Sequence, residues 1–411
     1  MRKIYASVDI GTSSIKIVTL EVFNKKYNVL ASTIVKTKGL KQGLIVDAGK
    51  VSSAIKQGIK IVESKLGTKI EQVLAIIPSH NIEFDVVASS IKVDTEDKLV
   101  TSEVIYSCLQ TALTSNLKVN KEIITVSPVE YRLDKTKNIK NPLNMRGDTL
   151  SVKAVVSAIP KKNILSVVSV LEDLGIEVVD VLFSSAANYY AVKTADLDTK
   201  VVAMIDIGDE ITKVSIFNKG VMIKEKNILL GGVNIDNDIS FKYKTTMEQS
   251  REIKEQFAVC NRKYADVDEE VTYINRLNES VTIDQYRLSE MIESRIVEML
   301  KNMKNEINSL TNREIGYIII TGGITSMLGF NAIVEELFPR NASVINLGLI
   351  GIRDNRYASA YGIIKYFVEK LELRGKEYTM FQENKIEEML STRKKVGASG
   401  VLSKIFEKIF D

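Results

Sequence analysis
The chain has 411 residues, of which 45% are hydrophobic and 26% are charged, and this is the balance of a soluble globular protein of two or more domains. Its net charge of +4 is small, so no nucleic-acid partner is predicted, because such proteins carry a concentrated basic face. Two cysteines far apart and a single histidine exclude a disulfide framework and a multi-histidine metal site.

The N-terminal residues show no signal-peptide pattern, and no apolar run is long enough to cross a bilayer. We therefore predict a cytoplasmic protein whose contact with a membrane, if it has one, is peripheral.

Two predicted strands end in the same way. Ile4–Ile10 runs into Gly11, and Val201–Ile207 runs into Gly208. Both segments end in Asp-Ile-Gly, both have a lysine seven residues after the aspartate, and both continue into a second apolar strand. Each unit is a predicted hairpin, and its repetition indicates an internal duplication with two related domains.

These repeated turns predict a nucleotide site between the two halves. A glycine at the strand end lets backbone N–H groups approach phosphate oxygens, and short hydroxyl groups and a lysine add further donors. Asp9 and Asp206 would face each other across the cleft and hold Mg²⁺ through water. The predicted nucleotide-binding residues are Gly11, Thr12, Ser13, Ser14, Lys16, Asp206, Gly208, Thr212, Gly231, Gly232, Lys254, Gly322, Gly323 and Ile324. One copy alone would equally fit an ordinary tight turn, and no Walker loop is present.

The order of these segments resembles the actin, Hsp70 and sugar-kinase superfamily. DIGTSS and DIGDEIT look like its two phosphate loops, and IITGGITSMLGF looks like its adenosine motif, from which we predict a helix beginning near Ser326. Residues 184–191 and 358–367 look like its two connecting helices. The resemblance implies an α/β, actin-like fold of two lobes built on duplicated ribonuclease-H-like domains, with ATP and Mg²⁺ in the cleft.

Within that superfamily the sequence is similar to the FtsA family. The stretches at 41–47 and 127–160, and GGVNIDNDI, match its patterns, although Asn144 stands where the family usually has glycine. The implied organisation is subdomain 1A at 1–82, 161–200 and 357–375, the FtsA-type subdomain 1C at 83–160, subdomain 2A at 201–228 and 313–356, subdomain 2B at 229–312, a linker at 376–399 with a short helix near 384–390, and a terminal helix at 400–411. His80 matches a family segment, and we predict a structural role for it.

Subdomain 2B is predicted to be rich in helices, around 246–257 and 284–309. The second of these is amphipathic, and its residues Met291, Met299 and Met303 are predicted to lie in the core.

Three features depart from the family pattern. Asp209 and Glu210 follow Gly208, where glycine is usual, and two carboxylates near a γ-phosphate would repel it unless they point away or bind Mg²⁺. Arg251 falls where the pattern has a glutamate that contacts the ribose. The first connecting segment has no acid or glutamine to position water. We therefore predict that ATP binds as a structural and polymerisation switch, with weak or no ATPase activity.

The last twelve residues, 400–411, form a predicted amphipathic helix. Apolar and polar side chains fall on opposite halves of a helical wheel. The predicted membrane-contacting residues are Val401, Leu402, Ile405, Phe406, Ile409 and Phe410, with Lys404 and Lys408 at the headgroups. The family's membrane-targeting helix has this same position. The alternative is a helix that packs on its own domain.

The resemblance implies a polymerising, ATP-binding actin homologue on the cytoplasmic face of the membrane at the division site. In the family, such a protein tethers the FtsZ ring, receives the acidic and apolar FtsZ tail on subdomain 2B, forms filaments with itself, and recruits later division proteins through subdomain 1C. Arg295 and Lys301 are candidate contacts for the tail. A small-molecule kinase of the same fold, which would need a catalytic aspartate, and a pilus-assembly ATP-binding protein stay open as alternatives.

Overall fold
The computed structural model describes residues 2–114, 120–352, 354–382 and 385. Its first part consists of β1 (Lys3–Ile10), β2 (Ser14–Phe23), β3 (Lys26–Lys36), β4 (Leu40–Lys41), β5 (Leu44–Ile45), α1 (Ala48–Leu66) and β6 (Gln72–Ile77). Asp47 caps the start of helix α1, its side chain accepting a hydrogen bond from the Lys50 N–H, and Gly67 in the left-handed region caps its end. Strands β1 and β2 are almost wholly buried.

Residues 83–160 form a separate antiparallel sheet in the region predicted as subdomain 1C. Its elements are β7 (Glu83–Lys92), α2 (Ser102–Thr114), β8 (Lys121–Leu133), β9 (Thr136–Ile139) and β10 (Thr149–Pro160), and the strand order is β7-β10-β8-β9. Asn144 adopts φ 65°, so the position that departs from the family's glycine keeps a left-handed backbone, which asparagine tolerates better than most residues.

The first lobe is completed by α3 (Lys161–Glu172), β11 (Glu177–Phe183) and α4 (Ser184–Val192). Its sheet has the order β11-β6-β1-β2-β3, in which β1 pairs antiparallel with β2 and parallel with β6.

The second lobe repeats this plan. It contains β12 (Val201–Ile207), β13 (Thr212–Asn218), β14 (Val221–Ile228), α5 (Gly232–Tyr243), α6 (Met247–Gln256), β15 (Glu270–Ile274), β16 (Ser280–Asp284), α7 (Gln285–Leu310), β17 (Tyr317–Gly322), α8 (Phe330–Leu337) and β18 (Ala342–Val344), and α9 (Ala358–Leu373) then returns to the first lobe. The sheet order is β14-β13-β12-β17-β18, with β12 antiparallel to β13 and parallel to β17. The predicted duplication is therefore confirmed.

The predicted start of a helix near Ser326 is wrong. A 3₁₀ turn covers Gly323–Ser326, and α8 begins only at Phe330. Gly329, at φ 93°, turns the chain before α8, and a continuous helix cannot pass through that left-handed residue. The predicted core positions in α7 are confirmed for Met299 and Met303, which are buried, whereas Met291 is partly buried against the same core.

The two connecting helices, α4 and α9, cross where the lobes meet. A Cβ atom on Gly362 of α9 would lie 1.7 Å from the carbonyl oxygen of Ala187 in α4, so only glycine permits this close approach. Tyr189 of α4 stacks on Phe217 of β13 with ring centroids 4.3 Å apart. These contacts join the cores of the two lobes.

Residues 378–381, which were predicted to belong to a linker, pack against β1. The Met380 N–H donates to the Ile4 carbonyl oxygen (3.1 Å), the Tyr5 hydroxyl donates to the Tyr378 carbonyl oxygen (2.8 Å), and Phe381 is buried. Strand β6 pairs with β1 only from Ser7 onward, so these residues fill the place beside β1 that β6 leaves open. The helices predicted near 384–390 and at 400–411 lie outside the described residues, apart from Lys385. Among the described helices, none is long and apolar enough to span a bilayer.

Candidate nucleotide-binding site
The first predicted phosphate loop is the tight turn between β1 and β2. Asp9 and Lys16 are directly paired across the two strands, and the Gly11 N–H donates to the Ser14 carbonyl oxygen (3.1 Å). A Cβ atom on Gly11 would lie 2.6 Å from Lys16 Nζ. Glycine therefore leaves the lysine room to reach over the turn.

The second turn, between β12 and β13, has the same geometry. Asp206 pairs across the strands with Lys213, and the Gly208 N–H donates to the Ile211 carbonyl oxygen (3.0 Å). A Cβ atom on Gly208 would lie 2.7 Å from that oxygen. The two sequence repeats are thus one structural unit used twice, and both copies face the space between the lobes.

That space is a cavity of about 640 Å³, a size that suits a small molecule or a cofactor. Most of the nucleotide-binding and metal-binding residues predicted from the sequence line this cavity. Those that line it are Asp9, Gly11, Thr12, Ser13, Ser14, Lys16, Asp206, Gly208, Gly232, Lys254, Gly322, Gly323 and Ile324.

Two predicted residues do not line the cavity. Thr212 is fully buried, and its hydroxyl donates to the Leu230 carbonyl oxygen (2.7 Å). Gly231 lies against the loop, where a Cβ atom would be 2.4 Å from the Asp209 carbonyl oxygen. Thr212 and Gly231 thus serve the packing of the second loop against the start of α5.

Lys16 and Ser359 both bind the Asp9 carboxylate. Lys16 Nζ lies 3.3 Å from its Oδ2, and the Ser359 hydroxyl at the start of α9 donates to the same oxygen (2.7 Å). The first loop is thereby linked to one of the connecting helices.

The Asp206 carboxylate is linked to the other connecting helix. Asn188 of α4 donates a hydrogen bond to it, and Lys213 lies close by. Loss of solvent raises the pKa of Asp206, an effect that the lysine opposes. The Oδ1 atom of Asn188 is buried without a hydrogen-bond partner, and Asn188 lines the cavity. A hydrogen-bond donor bound in the cavity would satisfy this oxygen.

No group of three or more His, Cys, Asp or Glu side chains that could hold a metal ion occurs among the described residues. The oxygen donors that line the cleft include Asp9, Asp206 and the unpartnered amide oxygen of Asn188. Such a set fits a hydrated Mg²⁺ ion, which keeps several of its waters and needs few direct protein ligands.

The glycine pair at the end of β17 lines the cavity beside the second phosphate loop. Gly322 has φ 111°, and a Cβ atom there would lie 2.1 Å from the Ile207 carbonyl oxygen. Gly323 lies against the Arg356 side chain. Lys254 of α6 donates to the Gly232 carbonyl oxygen (3.0 Å) and thereby ties α6 to the start of α5 at the cavity.

Several cavity residues were not predicted. Glu255 follows Lys254 directly, and Arg356 is held by Asp354 in the 3₁₀ turn Asn355–Tyr357. The position of Glu255 beside a predicted residue is a signal that sequence reasoning missed. Arg356 gives no such signal, since only the fold brings its segment to the cleft.

The β4–β5 turn bridges the two lobes at the phosphate end. The Gly43 N–H donates to the Thr12 hydroxyl (3.1 Å), and the Gln42 N–H donates to the Glu210 carboxylate of the second loop (2.5 Å). Both turn residues have positive φ, which aims their N–H groups toward the cleft. The KQGLIVD stretch is therefore a strap between the lobes.

Two family models match this chain. The model described as cell division protein FtsA matches residues 203–362, and the model described as the SHS2 domain inserted in FtsA matches residues 81–157. Together they cover more than half of the chain. It belongs to the FtsA family.

Curated FtsA relatives match along nearly the whole chain. The cell division protein FtsA of Bacillus subtilis (strain 168) is 27% identical over 378 residues, which are 91% of this chain and 86% of that protein. The FtsA of Enterococcus faecalis (strain ATCC 700802 / V583) is 26% identical over 365 residues, 88% of this chain and 83% of that protein.

Solved structures show that the fold is actin-like. A PilM-PilN type IV pilus biogenesis complex matches with a TM-score of 0.61 at 14% identity, covering 91% of this chain and 99% of that chain. MreB5 of Spiroplasma citri bound to ADP matches with a TM-score of 0.52 at 13% identity, covering 89% and 98% of the two chains. The predicted fold class is confirmed, including the inserted FtsA-type subdomain.

The departures from the FtsA pattern have partners in the structure. The Asp209 carboxylate is paired with the Arg251 guanidinium, and Glu210 is bound by the Gln42 N–H. Arg251 does not line the cavity. Both carboxylates of the second loop therefore have hydrogen-bond donors of their own.

His80 borders the cavity, half-buried, and its Nδ1 atom has no partner. Burial lowers the pKa of the imidazole, and the nearby Lys213 lowers it further, so His80 is neutral at physiological pH.

Proposed function
We propose that this chain is an ATP-binding cell-division protein whose nucleotide site is the cleft between the lobes. The observation that carries the proposal is the pair of matching glycine turns facing one cavity, each with an aspartate at the strand end and a lysine paired to it. Backbone N–H groups at such turns suit phosphate oxygens. Gly322 and Gly323 offer a flat backbone surface for adenosine.

Magnesium would be held through water by Asp9 and Asp206, with the free amide oxygen of Asn188 accepting a hydrogen bond from the same hydration shell. The bound ion would offset the charge of the phosphates. Ser359 and Asn188 belong to the two connecting helices and bind the two aspartates. Binding of a ligand in the cleft would therefore affect the contacts where the lobes are joined.

The nucleotide is proposed to act as a structural and polymerisation switch with weak or no turnover. From α4, the first connecting helix, the described cavity lining includes Ser184 and Asn188 but no acid or glutamine to orient water. The carboxylates of Asp209 and Asp354 are occupied by Arg251 and Arg356. Asp209 and Asp354 are therefore poor candidates for the catalytic base that a small-molecule kinase would need.

Subdomain 2B is the proposed receptor for the acidic and apolar tail of FtsZ. Phe241 is 76% exposed, and Lys244 Nζ lies 4.6 Å from the centre of its ring. The hairpin tip at Arg276 is bonded to the end of α5 beside it. Of the two predicted contacts, Arg295 is engaged by Asp238 and Glu298, whereas Lys301 is exposed and has no ion pair within the described part of the chain.

Residues 400–411 are proposed to fold as a helix in the lipid interface and so place the protein on the cytoplasmic face of the membrane at the division site. Such a short helix is marginal in water and binds lipid weakly by itself. Filaments of many copies would bind strongly, because each further attachment is effectively intramolecular. The protein would thereby tether the FtsZ ring, with subdomain 1C free to recruit later division proteins.

Membership of the FtsA family favours this function over a pilus-assembly role, since the likeness to the pilus complex is one of fold. Sedimentation with anionic liposomes, with and without ATP, tests it. Full-length protein should co-sediment, more so with ATP, and a chain ending at Ser399 should stay in solution. Replacing Phe406 and Phe410 by Glu is the matched substitution, and its unchanged co-sedimentation would refute the membrane assignment.

A further inference from the structure
A row of alternating charges lies behind the second phosphate loop. Asp209 of the loop is bound by Arg251 Nη2 through both of its oxygens, at 3.0 and 2.9 Å. Arg251 Nε bonds to Asp236 of α5 (3.2 Å), and Asp236 is bound in turn by Lys254 Nζ (2.6 Å). The Asp236 side chain is fully buried and that of Asp209 is 14% exposed, so solvent screens these charges little.

Asp209 borders the cavity, but Arg251 does not. Asp209 therefore lies at the edge of the place where phosphates would enter, whereas the guanidinium that binds it lies outside the cavity lining. Backbone bonds hold the loop in this position, since the Gly232 N–H donates to the Gly208 carbonyl oxygen (3.0 Å) and the Val233 N–H to the Asp209 carbonyl oxygen (2.8 Å). These bonds fix the backbone of the loop, and the contact with Arg251 holds the direction of the carboxylate.

An unpaired carboxylate here would repel a polyphosphate through a region of low dielectric. The guanidinium, whose Nη2 donates to both oxygens, offsets that charge and holds the direction of the carboxylate. The two departures from the family pattern, at 209 and 251, are 42 residues apart in the chain and form one contact in space.

We propose that Arg251 is a positioning residue for nucleotide binding, which neutralises and holds Asp209 so that the second loop accepts a polyphosphate anion. This inference rests on the proposed nucleotide site. It differs from a merely structural ion pair in one respect: the harm done by losing Arg251 comes from the stranded carboxylate, so removing the carboxylate as well must repair it.

The test is equilibrium binding of Mg·ATP, ADP and adenosine to Arg251→Met, Asp209→Ala and the double variant. Arg251→Met should weaken ATP binding about tenfold, which is within the coupling seen for contacting charged groups. ADP should lose less, and adenosine should be unchanged. The double variant should bind ATP about as tightly as the wild type, and Asp209→Ala alone should bind it as tightly or more tightly.

Arg262→Met is the matched control, because Arg262 pairs with Glu290 and Glu293 in the same subdomain away from the cavity. It should leave ATP affinity unchanged. A double variant as weak as Arg251→Met, or an equal loss for adenosine, would overturn the proposal. If Arg251→Met does not fold, a large loss in Asp209→Ala alone would equally overturn it. A wild-type protein that binds no nucleotide would instead overturn the proposed function itself.

Discussion

Gly362 shows how one residue sets the geometry of the crossing between α4 and α9. Its missing side chain lets α9 touch the backbone of α4 at Ala187. Gly362→Ala should therefore force the two helices apart and destabilise the protein by about 3 kcal/mol, the upper part of the usual range for overpacking. Urea unfolding of the full chain measures this change.

Gly49→Ala provides the control for Gly362→Ala. It lies in the first turn of α1, where a Cβ atom would meet only ordinary contacts, and alanine should be neutral or slightly stabilising there. Equal stability of the two variants would show that the helix crossing has room to relax.

The contribution of histidine to the pH dependence of stability can be assigned to His80, because the chain has no other histidine. Its pKa in the folded protein lies below the ordinary value of 6.5, through burial and Lys213. The unfolded chain therefore binds a proton more readily than the folded one as the pH falls below that value. The stability contributed by the neutral imidazole is present above pH 6.5 and is lost as the pH falls toward the lowered pKa.

Unfolding of the wild type and His80→Gln should reveal this loss. The free-energy advantage of the wild type over the variant should shrink between neutral and mildly acidic pH. An advantage that stays constant or grows on acidification would mean that the folded imidazole is not depressed in pKa.

At the scale of elements, the strap formed by the β4–β5 turn is the feature most open to test. Glu210→Ala removes the acceptor of the Gln42 N–H and should raise the hydrogen-exchange rate of that amide about tenfold, since a hydrogen bond to a charged group contributes more than a neutral one. The global unfolding midpoint should change little. Glu335→Ala, at an exposed carboxylate of α8, is the control and should leave the Gln42 amide as protected as in the wild type.

The sequence predicted the elements whose cause is local. The strand ends at Gly11 and Gly208 and the amphipathic α7 follow from hydrophobic period and glycine chemistry, and they were placed well. The start of α8 was missed because it depends on the left-handed Gly329. The docked residues at 378–381 were missed because their partner is the start of β1, more than 370 residues away in the chain.

The same distinction holds for the candidate site. Residues inside the repeated turns could be predicted because the duplication marks them twice. Arg356, Ser359 and Asn188 could not, because only the return of the chain through α9 and the crossing with α4 bring them to the cleft. The motif places Thr212 in the predicted site, whereas in the structure its hydroxyl donates to the Leu230 carbonyl oxygen.

At the scale of the whole molecule, two copies of one sheet enclose a cavity, and both strand-end aspartates are tied to the helices that join the lobes. A ligand bridging the two turns would stabilise the closed arrangement by mass action, because it binds only when both lobes are in place. The proposed coupling between nucleotide and polymerisation depends on this arrangement.

Calorimetric titration of Mg·ATP into the wild type and Gly232→Val tests the central claim most directly. A side chain at Gly232 would meet only the end of Lys254 and ordinary contacts, with no positive φ to strain it, so the variant should fold while its added methyl groups occupy the cavity. We expect the wild type to bind one equivalent of ATP and the variant to bind none. Absence of binding to the wild type at millimolar nucleotide, or equal binding by both proteins, would contradict it.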